Sequence, residues 1–183
     1  SCLNLNRIAN PRVLGVDSDL LQGRFLFQTK ISSLKNESDL WGELQRDYGD
    51  CVPAIADQTV ILWSLGKKVG DTLLYRNSLG NDVKLLLIGG LAPSVFQGNV
   101  LIDNQQFLKH FPTTSGSSVF LVEGHPEQQE AIADELLLSY RDSGWEMTLT
   151  AERLALFNSI ERTYLTIFLI LGAFGLLIGT FGL

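Results

Sequence analysis

The sequence from Thr163 to Leu183 reads TYLTIFLILGAFGLLIGTFGL, a run of 21 residues without a charged side chain. As a helix it would be roughly 30 Å long, at ~1.5 Å per residue, which matches the hydrocarbon thickness of a bilayer. A soluble domain does not need such a run at its edge, and a secretory signal would lie at the other end of a chain. We therefore expect residues 163–183 to form one transmembrane helix.

Glycines recur within this apolar run at spacings of three, four and three, which places them along one face of a helix. They are Gly172, Gly175, Gly179 and Gly182. The Gly175/Gly179 pair has the Gly-x-x-x-Gly spacing that allows a second helix backbone to approach closely in lipid. Glycine is also frequent in membrane helices generally. Because four share one stripe, and a lone anchor does not need it, we predict a helix-packing face.

Residues 150–162 are predicted to form a stalk helix that continues into the apolar run without a break. Apolar and aromatic side chains follow one another at spacings of three and four, and no glycine or proline interrupts them. These stalk positions are Leu154, Phe157, Ile160 and Tyr164.

Residues 1–149 have the composition of a globular domain, since the whole chain is 45% hydrophobic and 19% charged. Hydrophobic patterning and turn signals predict an α+β fold, with a mixed, mostly antiparallel sheet and flanking helices. Helices are expected over 38–48, 57–65, 103–111 and 126–140. Strands are expected over 52–56, 72–75, 83–88, 100–102, 118–123 and 145–149, with short extended pieces before residue 24 and a further strand or part of an anchor at 25–27.

The net charge of −6 limits the partners that the domain can have. It argues against a nucleic acid, because phosphate binding needs a cationic face, and against a domain lying flat on anionic lipid. Next to the apolar run, Arg153 and Arg162 alternate with Glu152 and Glu161, so this side lacks the positive charge of a cytoplasmic flank. We therefore expect the domain to lie outside the cytoplasm.

The sequence contains no pattern that predicts catalysis, a metal or a cofactor. The two histidines, His110 and His125, are predicted at a helix end and in a turn, without Cys, Asp or Glu at ligand spacing. Asp57, Asp71 and Asp103 each begin a predicted element, where a capping or turn role is expected. Nucleophile-elbow and phosphate-loop motifs are absent from the sequence.

Cys2 and Cys51 are the two cysteines of the chain, and they leave two alternatives open. They form one disulfide in an oxidising compartment, or they are two unpaired thiols that are mostly buried.

From Val52 onward, a series of short motifs covers about two thirds of the chain. They are VPAIAD at 52–57, LGKKVGDTL at 65–73, LLIGGL at 86–91, FQGNVLI at 96–102, residues 107–112, and ERL at 152–154 followed by the helix into Leu183. In this order and spacing, the chain resembles the extracytoplasmic domain and following membrane helix of a bacterial ABC transporter permease of the FtsX-like family. That domain is often called the MacB-like periplasmic core. The segment before Val52 matches only loosely.

The resemblance implies a permease subunit in the bacterial inner membrane, with its domain facing the periplasm or cell exterior. Such a subunit forms a homodimer or heterodimer, and a cytoplasmic ABC ATPase supplies the energy. Its outer domain transmits this motion to a lipid, a lipoprotein or a periplasmic protein, and it is not itself an enzyme. We expect the remainder of the domain and the other membrane helices in a longer polypeptide.

Two other classes of protein remain as alternatives. The first is a single-span surface sensor or binding domain without transport activity, and the second is a membrane-anchored enzyme.

Overall fold

The computed structural model describes residues 11–114 and 116–181, except for the side chains at 156–164, 177 and 181. The chain divides into two compact units between Ser118 and Val119. The first unit contains a mixed six-stranded sheet with helices, which confirms the predicted α+β class.

The sheet has the order β1-β6-β3-β5, and two further strands share the other edge of β5. The β1/β6 and β3/β5 pairs are parallel, whereas β3/β6, β2/β5 and β4/β5 are antiparallel. The strands are β1 (Arg12–Val16), β2 (Phe27–Lys30), β3 (Cys51–Asp57), β4 (Thr72–Arg76), β5 (Asp82–Leu91) and β6 (Asn99–Asp103).

The predicted β4/β5 hairpin is confirmed, and its turn is fixed by Asn77. The Asn77 Oδ1 atom accepts hydrogen bonds from the backbone N–H groups of Leu79 and Asn81, at 3.1 and 2.9 Å. Gly80 has a φ of +82°, a conformation that glycine adopts without steric cost. The turn therefore sets the register in which β4 pairs with the first half of β5.

Helices and tight turns cover both faces of the sheet. On one face, α2 (Asn104–His110) and a π-helical turn over 60–64 pack on residues such as Val100 and Ile102. On the other face, Leu101 packs against Trp41 and its neighbours, close to α1 (Ser18–Leu21). Alternate residues of β6 therefore enter opposite cores, as the period of a strand requires.

One predicted helix in this unit is wrong in kind and length, and a second differs from the prediction in kind. The helix expected over 38–48 is a short 3-10 turn over 42–45, where the N–H groups of Glu43 and Leu44 bond to the carbonyls three residues earlier. A 3-10 turn eclipses side chains three apart, so Trp41 and Leu44 enter the core together, and both are fully buried. A helical segment does occupy 58–64, close to the expected 57–65, but residues 60–64 have π-helical geometry and Asp57 remains the last residue of β3.

The second unit contains α3 (Gln129–Ser139) and α4 (Thr150–Phe181). A 3-10 turn over 126–128 precedes α3, and Gly144 follows it with a φ of +68°, so the helix predicted over 126–140 is broadly confirmed. The strands predicted over 118–123 and 145–149 are wrong, since the described residues there belong to no sheet.

An apolar segment becomes a strand only when another strand pairs with its backbone. In place of such pairing, the aromatic rings of this unit stack on one another. The Phe120 and Trp145 ring centroids are 5.1 Å apart, and those of Trp145 and Tyr140 are 4.7 Å apart.

A single helix, α4, contains the 32 residues from Thr150 to Phe181. It spans the predicted stalk and most of the apolar run without interruption. Within the part of the chain that the structure describes, no helix meets both the length and the apolar character that crossing a membrane requires.

We predict that Gly89→Ala destabilises the first unit by about 1–3 kcal/mol, because the new methyl group would overfill the core. A Cβ at Gly89 would lie 2.6 Å from Leu40 Cδ1 and 3.2 Å from Phe27 Cδ1, and Leu40 is fully buried. Urea unfolding of the full chain measures the effect.

Gly42→Ala is the matched control, because a Cβ there would meet nothing within 4 Å. Equal unfolding free energies for the two variants would contradict the packing described at Gly89.

Candidate functional site

The most unusual surface of the described chain is the second half of α4. From 165 to 180, every side chain that the structure describes is exposed. Many of these side chains are large and apolar, and the exposed fractions reach 73% at Leu169 and 72% at Ile178. A helix that is apolar all round is normally buried, either in a protein core or in a membrane. This half of α4 is therefore an exposed apolar surface of the second unit.

The glycine positions predicted for helix packing lie on this exposed part of α4. A Cβ atom added at Gly172, Gly175 or Gly179 would meet nothing within 4 Å, so the stripe is open along its described length. Gly182 lies outside the described residues. The arrangement is compatible with a second helix at this face, and the packing role remains a prediction.

The four predicted stalk residues all lie in α4. Leu154 is half-buried. The side chains of Phe157, Ile160 and Tyr164 lie outside the described part, so their packing remains a prediction.

Asp103 and Asp71 have the capping and turn roles predicted for them. The Asp103 Oδ2 atom accepts a hydrogen bond from the Gln105 N–H at 2.9 Å, at the start of α2. Its Oδ1 atom accepts another from the Ser18 hydroxyl at 2.7 Å, and this buried carboxylate thereby joins α1 to α2. The Asp71 carboxylate accepts a hydrogen bond from the Lys68 N–H at 2.8 Å, inside a turn.

The capping role predicted for Asp57 is wrong. Its side chain is fully buried and accepts hydrogen bonds from the Ser94 hydroxyl at 2.7 Å and the Ser94 N–H at 3.1 Å. Ser94 in turn accepts a hydrogen bond from the Phe96 N–H at 3.1 Å. Asp57 therefore anchors the loop between β5 and β6 to the end of β3. Burial raises the pKa of Asp57, and the two hydrogen bonds from Ser94 oppose this rise.

A cavity of about 300 Å³ lies between the segment that leads into β3 and the last turns of α2. Its lining residues are Arg46, Asp47, Tyr48, Gly49, Asp50, Cys51, Val52, Gln106, Lys109 and His110. Sequence reasoning missed this site, although the acidic Asp47/Asp50 pair and the helical spacing of Gln106, Lys109 and His110 were visible in the sequence.

Two ionisable side chains of the cavity have shifted pKa values. Burial and the neighbouring Lys109 ammonium lower the pKa of His110, which favours the uncharged imidazole. Burial raises the pKa of Tyr48, and so does the Glu43 carboxylate, which accepts a hydrogen bond from the Tyr48 hydroxyl at 3.3 Å. Arg46 forms an ion pair with Glu43 at 3.2 Å. Tyr48 and Arg46 are thus tied to the same buried carboxylate.

Among the described residues, neither Cys51 nor His125 is part of a disulfide or a metal site. Cys51 is partly exposed and has no disulfide partner among the described residues, while Cys2 lies outside them, so the disulfide remains a prediction. His125 precedes a 3-10 turn without a capping hydrogen bond from its side chain. The described residues contain no group of three or more His, Cys, Asp or Glu side chains that could hold a metal ion.

Comparison with known proteins identified no similar protein. The sequence matches no family model, no curated protein and no solved structure.

The Asp57 carboxyl provides a pH-dependent prediction. Its pKa is raised above the usual 3.8 in the folded chain, so the folded state binds this proton more tightly than the unfolded state. The corresponding stability is fully present below 3.8 and is lost as pH rises through the raised pKa. We therefore predict that the stability advantage of the wild type over Asp57→Asn shrinks as pH rises through this window, as measured by urea unfolding across the acidic range.

Ser94→Ala is the companion variant. It removes a hydroxyl donor that lowers the pKa of Asp57, and it should cost about 1–3 kcal/mol near neutral pH because a buried carboxylate loses a hydrogen bond. Its unfolding free energy should also depend more steeply on pH than that of the wild type. A wild-type advantage over Asp57→Asn that grows with pH would contradict the assignment.

Proposed function

We propose that this chain belongs to a permease subunit of a bacterial ABC transporter of the FtsX-like type, in which an outer domain transmits ATP-driven motion. The observation that carries the proposal is the uninterrupted α4 helix, whose described side chains beyond 165 are all exposed. The motifs from Val52 onward supply the resemblance to this family.

The length and charge of α4 support a division into a stalk and a membrane helix. Its 32 residues correspond to about 48 Å, against a hydrocarbon thickness of about 30 Å. The charged residues Glu152, Arg153, Glu161 and Arg162 all lie in the first half, and none occurs from 163 onward. We assign 163–183 to the bilayer and 150–162 to a stalk outside it.

In this proposal, the exposed apolar side chains contact lipid, and the glycine stripe receives another helix of a homodimeric or heterodimeric permease. A cytoplasmic ABC ATPase closes the dimer, and the helix carries the displacement outward. The domain then moves or releases a lipid, a lipoprotein or a periplasmic protein. The acidic net charge supports a domain in the periplasm or at the cell exterior, not on an anionic lipid surface.

The orientation is tested by labelling a single cysteine. Cys2 and Cys51 are replaced by Ser in the complete gene, and Asp134, an exposed residue of α3, is replaced by Cys. We predict that a membrane-impermeant maleimide labels this protein in intact cells whose outer membrane has been made permeable.

The double Cys→Ser protein without the new cysteine is the control for background labelling. Labelling that requires disruption of the inner membrane would place the domain in the cytoplasm and would contradict both the orientation and the transporter proposal.

Transmission through α4 is tested by changes that alter the helix itself. Ile160→Pro removes a backbone hydrogen bond and kinks the helix, at a cost of ~3 kcal/mol or more. Gly175→Leu closes the open stripe to a second helix. We predict that each change abolishes export while leaving ATP hydrolysis measurable in the reconstituted complex, because motion no longer reaches the outer domain.

Ile160→Ala and Ala173→Leu are the matched controls, since Ala173 lies off the glycine stripe. Alanine replacements of His110 and His125 complete the test; Asp103 is left out because it caps α2 and holds Ser18. If Ile160→Pro and Gly175→Leu export normally while one of these polar replacements stops export, a polar active site becomes the better explanation.

A further inference from the structure

Residues 111–118 connect α2 to the second unit, and we call them the connector. The connector residues that the structure describes belong to no helix or strand. A segment of this kind keeps its position only through contacts with the surrounding fold. The place of those contacts therefore determines which strands of the first unit would move with the connector.

The start of the connector is held by the turn of the β4/β5 hairpin. The Asn77 amide donates a hydrogen bond to the carbonyl of His110, the last residue of α2, at 2.8 Å. The Ser78 and Thr113 hydroxyls lie 2.7 Å apart and share a hydrogen bond. The two pairs are 33 and 35 residues apart in the sequence, so both are tertiary contacts.

An aromatic contact supports the same place from the side of β4. The ring centroids of Tyr75 and Phe111 are 6.2 Å apart at an interplanar angle of 78°, an edge-to-face pair. Phe111 also stacks on Phe107 of α2, with centroids 5.1 Å apart. The hairpin and the start of the connector thus form one junction, made of Tyr75, Asn77 and Ser78 on one side and His110, Phe111 and Thr113 on the other.

Asn77 makes the junction because its amide is bonded at both ends. Its Oδ1 atom accepts hydrogen bonds from the Leu79 and Asn81 N–H groups inside the turn, while its Nδ2 group donates to His110 outside the turn. An aspartate at this position could keep the acceptor role, but near neutral pH it has no proton to donate to a carbonyl. The amide is therefore the group that joins the turn to the end of α2.

The turn is continuous with strands that reach the middle of the sheet. β4 ends at Arg76 and pairs with β5 along its whole length, and β3 pairs with the other edge of β5. Coupling between distant parts of a protein is carried by packed side chains, hydrogen-bond networks and rigid elements. A displacement of the turn has such a hydrogen-bonded path to β5 and β3.

We propose that Asn77 is a positioning residue for the transmission of motion, and that a displacement of the connector enters the first unit at the β4/β5 turn. The displacement itself is supplied by the proposed function, on which this assignment rests. The sheet then receives motion through β5, the strand that both cores share.

A second contact of the connector gives the competing route. The Arg12 guanidinium donates to the Ser118 hydroxyl at 3.4 Å, on the exposed surface. This route would lead to β1, at the opposite side of the sheet from β4. A single long, exposed hydrogen bond is weaker than the junction at Asn77, which combines two shorter hydrogen bonds with a ring contact.

Hydrogen exchange of the purified full chain in a mild detergent tests the junction itself. We predict that Asn77→Asp speeds exchange of the Phe111 and Thr114 amides about tenfold, because the end of α2 loses a hydrogen bond. The Leu79 and Asn81 amides are the internal control, since the acceptor to which they bond is retained. Unchanged exchange at Phe111 and Thr114 would show that Asn77 does not hold the connector.

Transmission is tested in the complete permease, reconstituted in lipid with its ATPase. Hydrogen exchange is compared without nucleotide and with ATP and vanadate. In the wild type, we expect nucleotide to change exchange both in α4 and in the β4/β5 turn. In Asn77→Asp, the change should remain in α4 and be lost in the turn, whereas a merely structural role would alter exchange equally with and without nucleotide.

Two exposed positions supply the companion variants. Ser78→Ala removes the second hydrogen bond and should reduce the nucleotide-dependent change in the turn. Arg12→Gln is the matched control, because it disturbs only the contact with Ser118 and should leave that change intact. If Asn77→Asp fails to fold, the double variant Ser78→Ala/Thr113→Val replaces it.

The outcomes separate this assignment from the function on which it rests. If nucleotide changes exchange in neither α4 nor the turn of the wild type, the proposed function fails and the assignment fails with it. If nucleotide changes α4 but not the turn in the wild type, the assignment alone is overturned. The same holds if Asn77→Asp responds like the wild type, or if Arg12→Gln abolishes the response of the turn.

Discussion

β5 is the strand on which the sheet of the first unit depends, because it pairs along both edges and contributes to both cores. β3 pairs with one edge in parallel, while β4 and β2 lie end to end along the other. Between them, the Gly70 N–H donates to the Leu87 carbonyl at 2.7 Å, and the Ile31 N–H donates to the Ile88 carbonyl at 2.9 Å. A strand with both faces buried cannot leave these groups unpaired, since each would cost the free energy of a lost hydrogen bond. The edge that β4 and β2 share is thus covered from end to end.

Two buried carboxylates connect the ends of the strands to a neighbouring loop and to the helices. Asp57 at the end of β3 holds Ser94, and Asp103 at the end of β6 holds Ser18 and the start of α2. Each exchanges hydration for at least two hydrogen bonds, and removing a partner would leave a buried charge incompletely solvated. These residues explain why a short helix such as α2 can keep a fixed position against the sheet.

Prediction from the sequence succeeded where the interacting residues are close together in the chain, and it failed where they are far apart. The β4/β5 hairpin and the Asp103 cap were predictable, because turn residues and capping residues act on neighbours a few positions away. Asp57 was misassigned, because its partner Ser94 is 37 residues distant, and a local pattern cannot distinguish a helix cap from a buried anchor. The cavity escaped prediction for the same reason, since the fold brings residues 46–52 beside residues 106–110. At 118–123, the strand pattern was present, but the described structure provides no second strand to pair with it.

The proposed placement of α4 also explains how its polar half could remain helical. An isolated helix of about 12 residues is only marginally stable in water. Its first turn restricts the backbone dihedrals of several residues, and the one hydrogen bond it forms does not compensate for this loss of entropy. In a bilayer, the backbone of an apolar segment has to bond internally, since each unpaired group costs several kcal/mol. If 163–183 is embedded, this apolar segment forms a stable helix. The stalk helix can then extend from its end without a new nucleation step. The same hydrogen-bond ladder would then both order the stalk and carry displacement along it, so the stiffness of the stalk would derive from the lipid that surrounds its continuation.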